Sequence, residues 1–217
     1  MGLTLAPGTG FCETAEELVF LDLARDKYLS LRGQDRAAFD RLRRGEPNDG
    51  GAIARLVATG LFVSTNGPGS VEPAAIDVPT RDLAAVSHES FSPRMALSTA
   101  FALRWARRAM RPEQIGFTIE AVRARKAGVG PSAADGEIEI VSARYAAARW
   151  LNPVPQRCLI DALALDHILL ARGLASTMVF GIRMSPFKAH CWLQSPSAIL
   201  TGTAAEARNF VPILVIR

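Results

Sequence analysis

One stretch of this chain leaves it little structural choice. Asn152-Pro153-Val154-Pro155 breaks the backbone, because proline fixes φ and lacks an N–H donor. A strongly apolar helix follows from Cys158 to Arg172, and Gly173 stands at the C′ position that stops it. Three helical segments precede it, at 94–111, 113–126 and 137–151, the last offering Ile140, Tyr145, Ala148 and Leu151 as core positions. Strand patterns follow it, at 177–183, 189–194 and 210–216. Helices first and strands last predict an α+β unit rather than alternating βαβ. No run reaches the ~18 apolar residues of a membrane span.

The first third reads differently. Leu18 to Leu23 is an apolar strand, Ala24 to Lys27 a polar turn, and Tyr28 to Leu31 the return strand. Gln34 to Arg44 is a helix closed by Gly45, with Ala38, Phe39 and Leu42 as its stripe. Ala52 to Thr59 is a second helix, ended by Gly60 and followed by Leu61-Phe62-Val63 as a short strand. Strand-strand-helix-helix-strand is the make-up of a small winged-helix-like module. The organisation expected is a winged-helix-like domain over 1–66, a linker over 67–90 and a larger α+β domain over 91–217. Charge supports the division: residues 1–90 hold 9 Lys+Arg against 13 Asp+Glu, and residues 91–217 hold 16 against 8.

The N-terminus lacks the basic n-region of a signal peptide, and Ala6 breaks the myristoylation pattern. With three cysteines and no export signal, a disulfide framework is not expected and the cytoplasm is the default. No Cys/His spacing makes a zinc site, and neither a metal nor a cofactor is implied.

Cys158 opens the apolar helix, where free N–H groups and the positive dipole end stabilise a thiolate. Buried cysteines are also common in helices, so the position alone is not proof of chemistry. Of the three histidines, His167 lies nine residues along the same helix, ~13 Å away, and reads as a surface residue. His88 falls in the linker. His190 sits on the strand Ala189-His190-Cys191-Trp192-Leu193 and can pair with Cys158 across the unit as a general base. Cys191 points to the opposite face and reads as packing.

These blocks resemble the lasso-peptide biosynthesis B proteins. The resemblance rests on Cys158-Leu159-Ile160-Asp161-Ala162-Leu163-Ala164-Leu165, Arg172-Gly173, Val179-Phe180-Gly181-Ile182-Arg183 and Pro186-Phe187-Lys188-Ala189-His190-Cys191-Trp192-Leu193, with Phe210-Val211-Pro212-Ile213 at the end. It implies a transglutaminase-like, papain-related cysteine endopeptidase that removes the leader of a ribosomally made precursor. Phe20-Leu21-Asp22-Leu23, Asp26 to Leu31 and Leu56…Gly60-Leu61-Phe62 resemble the precursor-recognition module such proteins carry, similar to small chaperones of quinone-cofactor biosynthesis. That resemblance implies leader binding at Tyr28, Leu29, Leu31 and Leu56 by strand addition. It also implies a partner, an ATP-dependent lasso cyclase resembling asparagine synthetase.

One departure stands out. The family places an Asp after the His to orient it, and here the matching stretch is Leu200-Thr201-Gly202-Thr203-Ala204. Thr201, Thr203, Glu206 or a backbone carbonyl is then expected within ~3.2 Å of the second ring nitrogen of His190. The rival reading is a weakened or inactive leader-binding module of the same fold. A more distant one is a winged-helix DNA-binding regulator. The basic stretch 94–126, with eight Lys+Arg against two Glu, suits solvated faces or an acidic partner better than nucleic acid, since the winged-helix-like part is acidic.

Overall fold

The computed structural model describes residues 2–15, 17–67, 69, 71–83, 92–111, 114–129, 135–152 and 155–217. Its first part runs β1 (Gly2–Leu5), β2 (Thr9–Glu13), β3 (Leu18–Asp22), β4 (Lys27–Ser30), α1 (Gly33–Arg43), α2 (Gly50–Ala58) and β5 (Phe62–Thr65). Strands β2, β3 and β4 form an antiparallel sheet in that order, and β1 pairs with β5. The hairpin and both helices lie where the patterning puts them. Strands β1 and β2 do not appear in the sequence reading: Leu3 is paired with Ser64, so no local signal carries that strand.

Period-two alternation sorts the three-stranded sheet into two faces. Phe11, Leu18, Phe20 and Leu29 pack with Phe39, Leu56 and Phe62, the phenyl rings 5.2–5.8 Å apart. Cys12, Val19, Leu21 and Tyr28 join the other core, with Ile213, Leu214 and Ile216. A strand buried on both faces reads as a continuous apolar run, which is what Leu18-Val19-Phe20-Leu21 is.

The second part contains β6 (Arg81–Asp82), α3 (Pro93–Ala109), α4 (Ile115–Val129), α5 (Asp135–Arg149), α6 (Cys158–Leu170), β7 (Thr177–Arg183), β8 (Lys188–Gln194), β9 (Ala198–Ile199), α7 (Ala204–Ala207) and β10 (Val211–Ile216). Its sheet has the order β10-β7-β8-β9-β6, antiparallel except between β6 and β9. Helix α6 packs between α3 and β8. It ends as expected: Gly173 has φ +71°, Leu174 N donates to Leu169 O at 3.0 Å, and Gly173 N to Leu170 O at 3.2 Å. Gly10 is needed for the join between the two parts, because a Cβ there would lie 2.1 Å from the Ile213 carbonyl oxygen.

The described residues of the expected linker are held in place. Ala74 N donates to Phe11 O at 3.3 Å, and Gln194 Nε2 donates to Asp77 O at 2.8 Å. Arg81 ion-pairs with Glu139, and the Asp82 carboxylate accepts from Ala204 N. His88 lies outside the described residues. Two core expectations are corrected. Ile140 is 44% exposed, because the inward stripe of α5 is Ile138, Val141, Ser142, Tyr145 and Ala148, and Leu151 is 39% exposed because α5 ends before it, at Arg149. Deep in the helical layer, Lys126 Nζ donates to Asp166 Oδ1 and to Ser176 O, both at 2.5 Å. Both side chains of that ion pair are fully buried.

Candidate active site

Cys158 is the first residue of α6 and is exposed, in contrast to the buried Cys12 and Cys191. Arg157 at the N-cap supplies no side-chain cap, so the first-turn N–H groups are not closed off by one. Asp161, one turn on, accepts from Arg157 N at 3.1 Å through Oδ2. Its other oxygen is ion-paired with Arg149 and accepts from Tyr145 Oη at 3.2 Å. Arg149 thereby balances a carboxylate that would otherwise oppose a thiolate nearby. Burial, and then the Asp161 carboxylate, push the Tyr145 phenol well up, so it stays a donor.

Cys158 and His190 line one cleft of about 590 Å³, together with Tyr145, Arg149, Gln156, Asp161, Cys191, Thr201, Gly202 and Glu206. No hydrogen bond of the described residues joins Cys158 to His190. Trp192 and Phe210 lie beside the imidazole, with ring centroids 5.8 and 5.0 Å away. Burial lowers the His190 pKa from its ordinary 6.5, and the charge of Glu206 acts in the opposite direction.

The expected orienter is not found. His190 Nε2 is buried and has no hydrogen-bond partner. Thr201 Oγ1 instead accepts from Leu193 N at 2.9 Å, and Thr203 Oγ1 caps α7 by accepting from Glu206 N at 3.1 Å. Each hydroxyl oxygen is turned to a backbone N–H and not to the imidazole. Glu206 is near but does not make the bond. Gly202 sits between them with φ +78°: a Cβ there would be 3.6 Å from His190 Nε2 and 3.7 Å from Glu206 Oε2. A side chain at 202 would therefore start in ordinary van der Waals contact with both.

Among the expected leader contacts, Tyr28 packs edge-on against Phe187, centroids 5.2 Å apart, where the β7–β8 turn meets β4. Its phenol is pushed up to about 12, first by burial and then by the charges of Cys191, Asp26 and Cys158. Leu29 and Leu31 are partly buried against the phenylalanine core. Leu56 is a correction: it is fully buried in that core, under the aromatic rings, and closed to a ligand. Its neighbour Val57 is the exposed apolar residue of α2. His167 is also less exposed than expected, stacked on Trp105 at 4.3 Å.

Cys191 packs in the core with α6 and also lines the cleft. It is 2% exposed, and burial raises its thiol well above the ordinary range. Tyr145, Arg149 and Asp161 are the cleft residues that sequence reasoning missed. The signal was an i,i+4 Tyr/Arg pair on α5 and a lone acid in the first turn of an apolar helix, meaningless until α5 and α6 are known to touch. Among the described residues, no group of three or more His, Cys, Asp and Glu could hold a metal ion. No described helix is long and apolar enough to cross a membrane.

The sequence pattern of the Transglutaminase-like superfamily matches residues 95–215, which spans all of the cleft except Leu83. No curated protein and no solved structure matches the chain.

Proposed function

Because this chain belongs to the transglutaminase-like superfamily, which includes cysteine peptidases, we propose that it is a cytoplasmic cysteine peptidase that removes the leader of a lasso-peptide precursor. The observation that carries the chemistry is the single cleft lined by both Cys158 and His190. In this reading Cys158 Sγ attacks the scissile carbonyl, and His190 takes the thiol proton and passes it to the leaving amine. The uncapped first-turn N–H groups of α6 face the developing oxyanion. Water then releases the acyl group and restores the thiol.

The N-terminal strands and helices are read as the winged-helix-like recognition module. Strand β4 pairs on one side with β3 and has no other strand partner among the described residues. A leader added there would gain backbone hydrogen bonds, with Leu29 and Leu31 on the side of the phenylalanine core. The lasso cyclase resembling asparagine synthetase is the proposed partner in the following ring closure.

A second reading is favoured by one observation. With Nε2 of His190 bonded to nothing, the imidazole has no orienter, and loss of that role costs up to ~10⁴ in rate where the tautomer goes wrong. A weakened peptidase that binds leader well and cuts slowly fits the same cleft.

The deciding experiment uses the full chain and a precursor peptide. Cys158→Ala is expected to abolish cleavage and keep leader binding, while Cys191→Ala keeps most activity. Cleavage by the Cys158→Ala protein would end the mechanism. Leu31→Pro, just past β4, is expected to weaken leader binding, and undiminished affinity would exclude strand addition at that edge.

A further inference from the structure

The outward face of α3 has a composition that neither the cleft nor the core requires. Leu97 is 59% exposed and Phe101 65%, on a helix whose other side buries Met95, Thr99, Ala102, Leu103 and Ala106. At 100° per residue, Arg94, Leu97, Phe101, Arg104 and Arg108 fall on one stripe of about 80°. Residues 93–109 contain no acidic side chain, and none of these arginines is in an ion pair. Elsewhere Arg36, Arg43, Arg44, Arg55 and Arg81 meet carboxylates, while Arg125, Arg157, Arg172 and Arg217 are, like those of α3, in no ion pair among the described residues.

The face is concave. On one side of Phe101 a groove of about 540 Å³ runs between α3 and the end of α6, floored by the Trp105–His167 stack and rimmed by Arg104, Arg108 and Arg172. On the other side a groove of about 310 Å³ is lined by Leu97, Arg107 and Asn152. The larger groove lies by the C-terminal end of α6, about 20 Å of helix from Cys158.

The geometry points to a docking surface for an acidic amphipathic helix of a partner protein. Apolar side chains of that helix fill the grooves beside Phe101, and its flanking carboxylates meet Arg104, Arg107 and Arg108. Charge complementarity selects an acidic occupant, and shape selects a helix. A phosphate backbone would leave Leu97 and Phe101 against water, and a flat bilayer would not enter grooves on both sides of one ring.

The test uses the full-length protein and a fluorescein-labelled helix of about 18 residues, with Leu and Phe on one face and Glu on its flanks, read by anisotropy. Saturable binding in the range of about 10–100 µM is expected. Arg104→Glu/Arg108→Glu and, separately, Phe101→Glu should each weaken it at least tenfold. Arg44→Glu, on the opposite part of the chain, should change it less than twofold, and thermal melts check that every variant is folded. Peptide cleavage should be unaffected by all of them. Absence of saturable binding overturns the proposal, as does equal binding of a scrambled, non-amphipathic peptide of the same composition. Tighter binding of phosphatidylserine vesicles or duplex DNA, lost in the same variants, also overturns it by assigning the face to a membrane or a nucleic acid.

Discussion

The two ends of α6 differ in whether an ionisable group meets a counter-charge. Towards its C-terminal end, Asp166 is fully buried, yet its charge is balanced: Oδ1 takes Lys126 Nζ at 2.5 Å and Ser176 Oγ at 2.8 Å. At its N-terminal end Cys158 is exposed, and across the cleft His190 keeps a buried nitrogen with no partner at all. The match is incomplete even there, since Asp166 Oδ2 is buried without a hydrogen-bond partner, as are Thr99 Oγ1 and His167 Nδ1. What sets the unmet imidazole nitrogen apart is its place, in the cleft that Cys158 also lines.

That contrast can be broken from either end. The largest expected effect is at the balanced end: Lys126→Met strands Asp166 without its counter-charge and should cost about 3–5 kcal/mol in urea unfolding. A cost below about 1 kcal/mol would show that Asp166 is stabilised by other means. At the open end, Gly202→Asp puts a carboxylate into the gap beside His190 Nε2 and should raise the cleavage rate at least tenfold, about 1.4 kcal/mol of barrier. The left-handed φ at that position sets a cost of about 1 kcal/mol in stability. An unchanged or slower rate would mean that His190 needs no orienter. Thr203→Ala removes the cap of α7 and should cost about 1 kcal/mol with the cleavage rate nearly constant, separating Thr203 from the chemistry.

The smallest effect is one of pH. Burial holds the folded His190 below 6.5, so between that lowered value and 6.5 the unfolded chain binds more protons and acidification destabilises the fold. Glu206 opposes the shift. Glu206→Gln should therefore move the acid limb of the cleavage profile to lower pH and widen the window of acid destabilisation. A limb that moves upward, or not at all, would remove Glu206 from the surroundings of His190.

How much of this was legible in advance follows from where the information sits along the chain. Helix α6 announces itself by local means, with prolines before it, apolar residues through it and Gly173 after it. The β3–β4 hairpin and α1 are equally local. Strands β1 and β6 are not, because their partners lie about 60 and 117 residues away. Ile140 was misplaced since α5 has almost no amphipathic contrast, so its inward stripe is set by what α3 and α6 offer it, and Leu151 since the helix stops at Arg149. In the cleft, Cys158 and His190 could be picked out as candidates by chemical type. Which oxygens are already engaged could not, and Thr201 and Thr203 looked available only because their backbone partners were unknown.

The Gly10–Ile213 contact has a consequence for distance. With β2 seated on β10, and Tyr28 of β4 against Phe187 of the β7–β8 turn, the proposed recognition edge and the proposed nucleophile, Cys158, ride on one body. A peptide anchored at that edge can then present to Cys158 only the bond that lies a set number of residues downstream. The fold would act as a ruler, choosing the cut by counting from the anchor, so that adding two or three residues between them should shift the cleavage site by the same number.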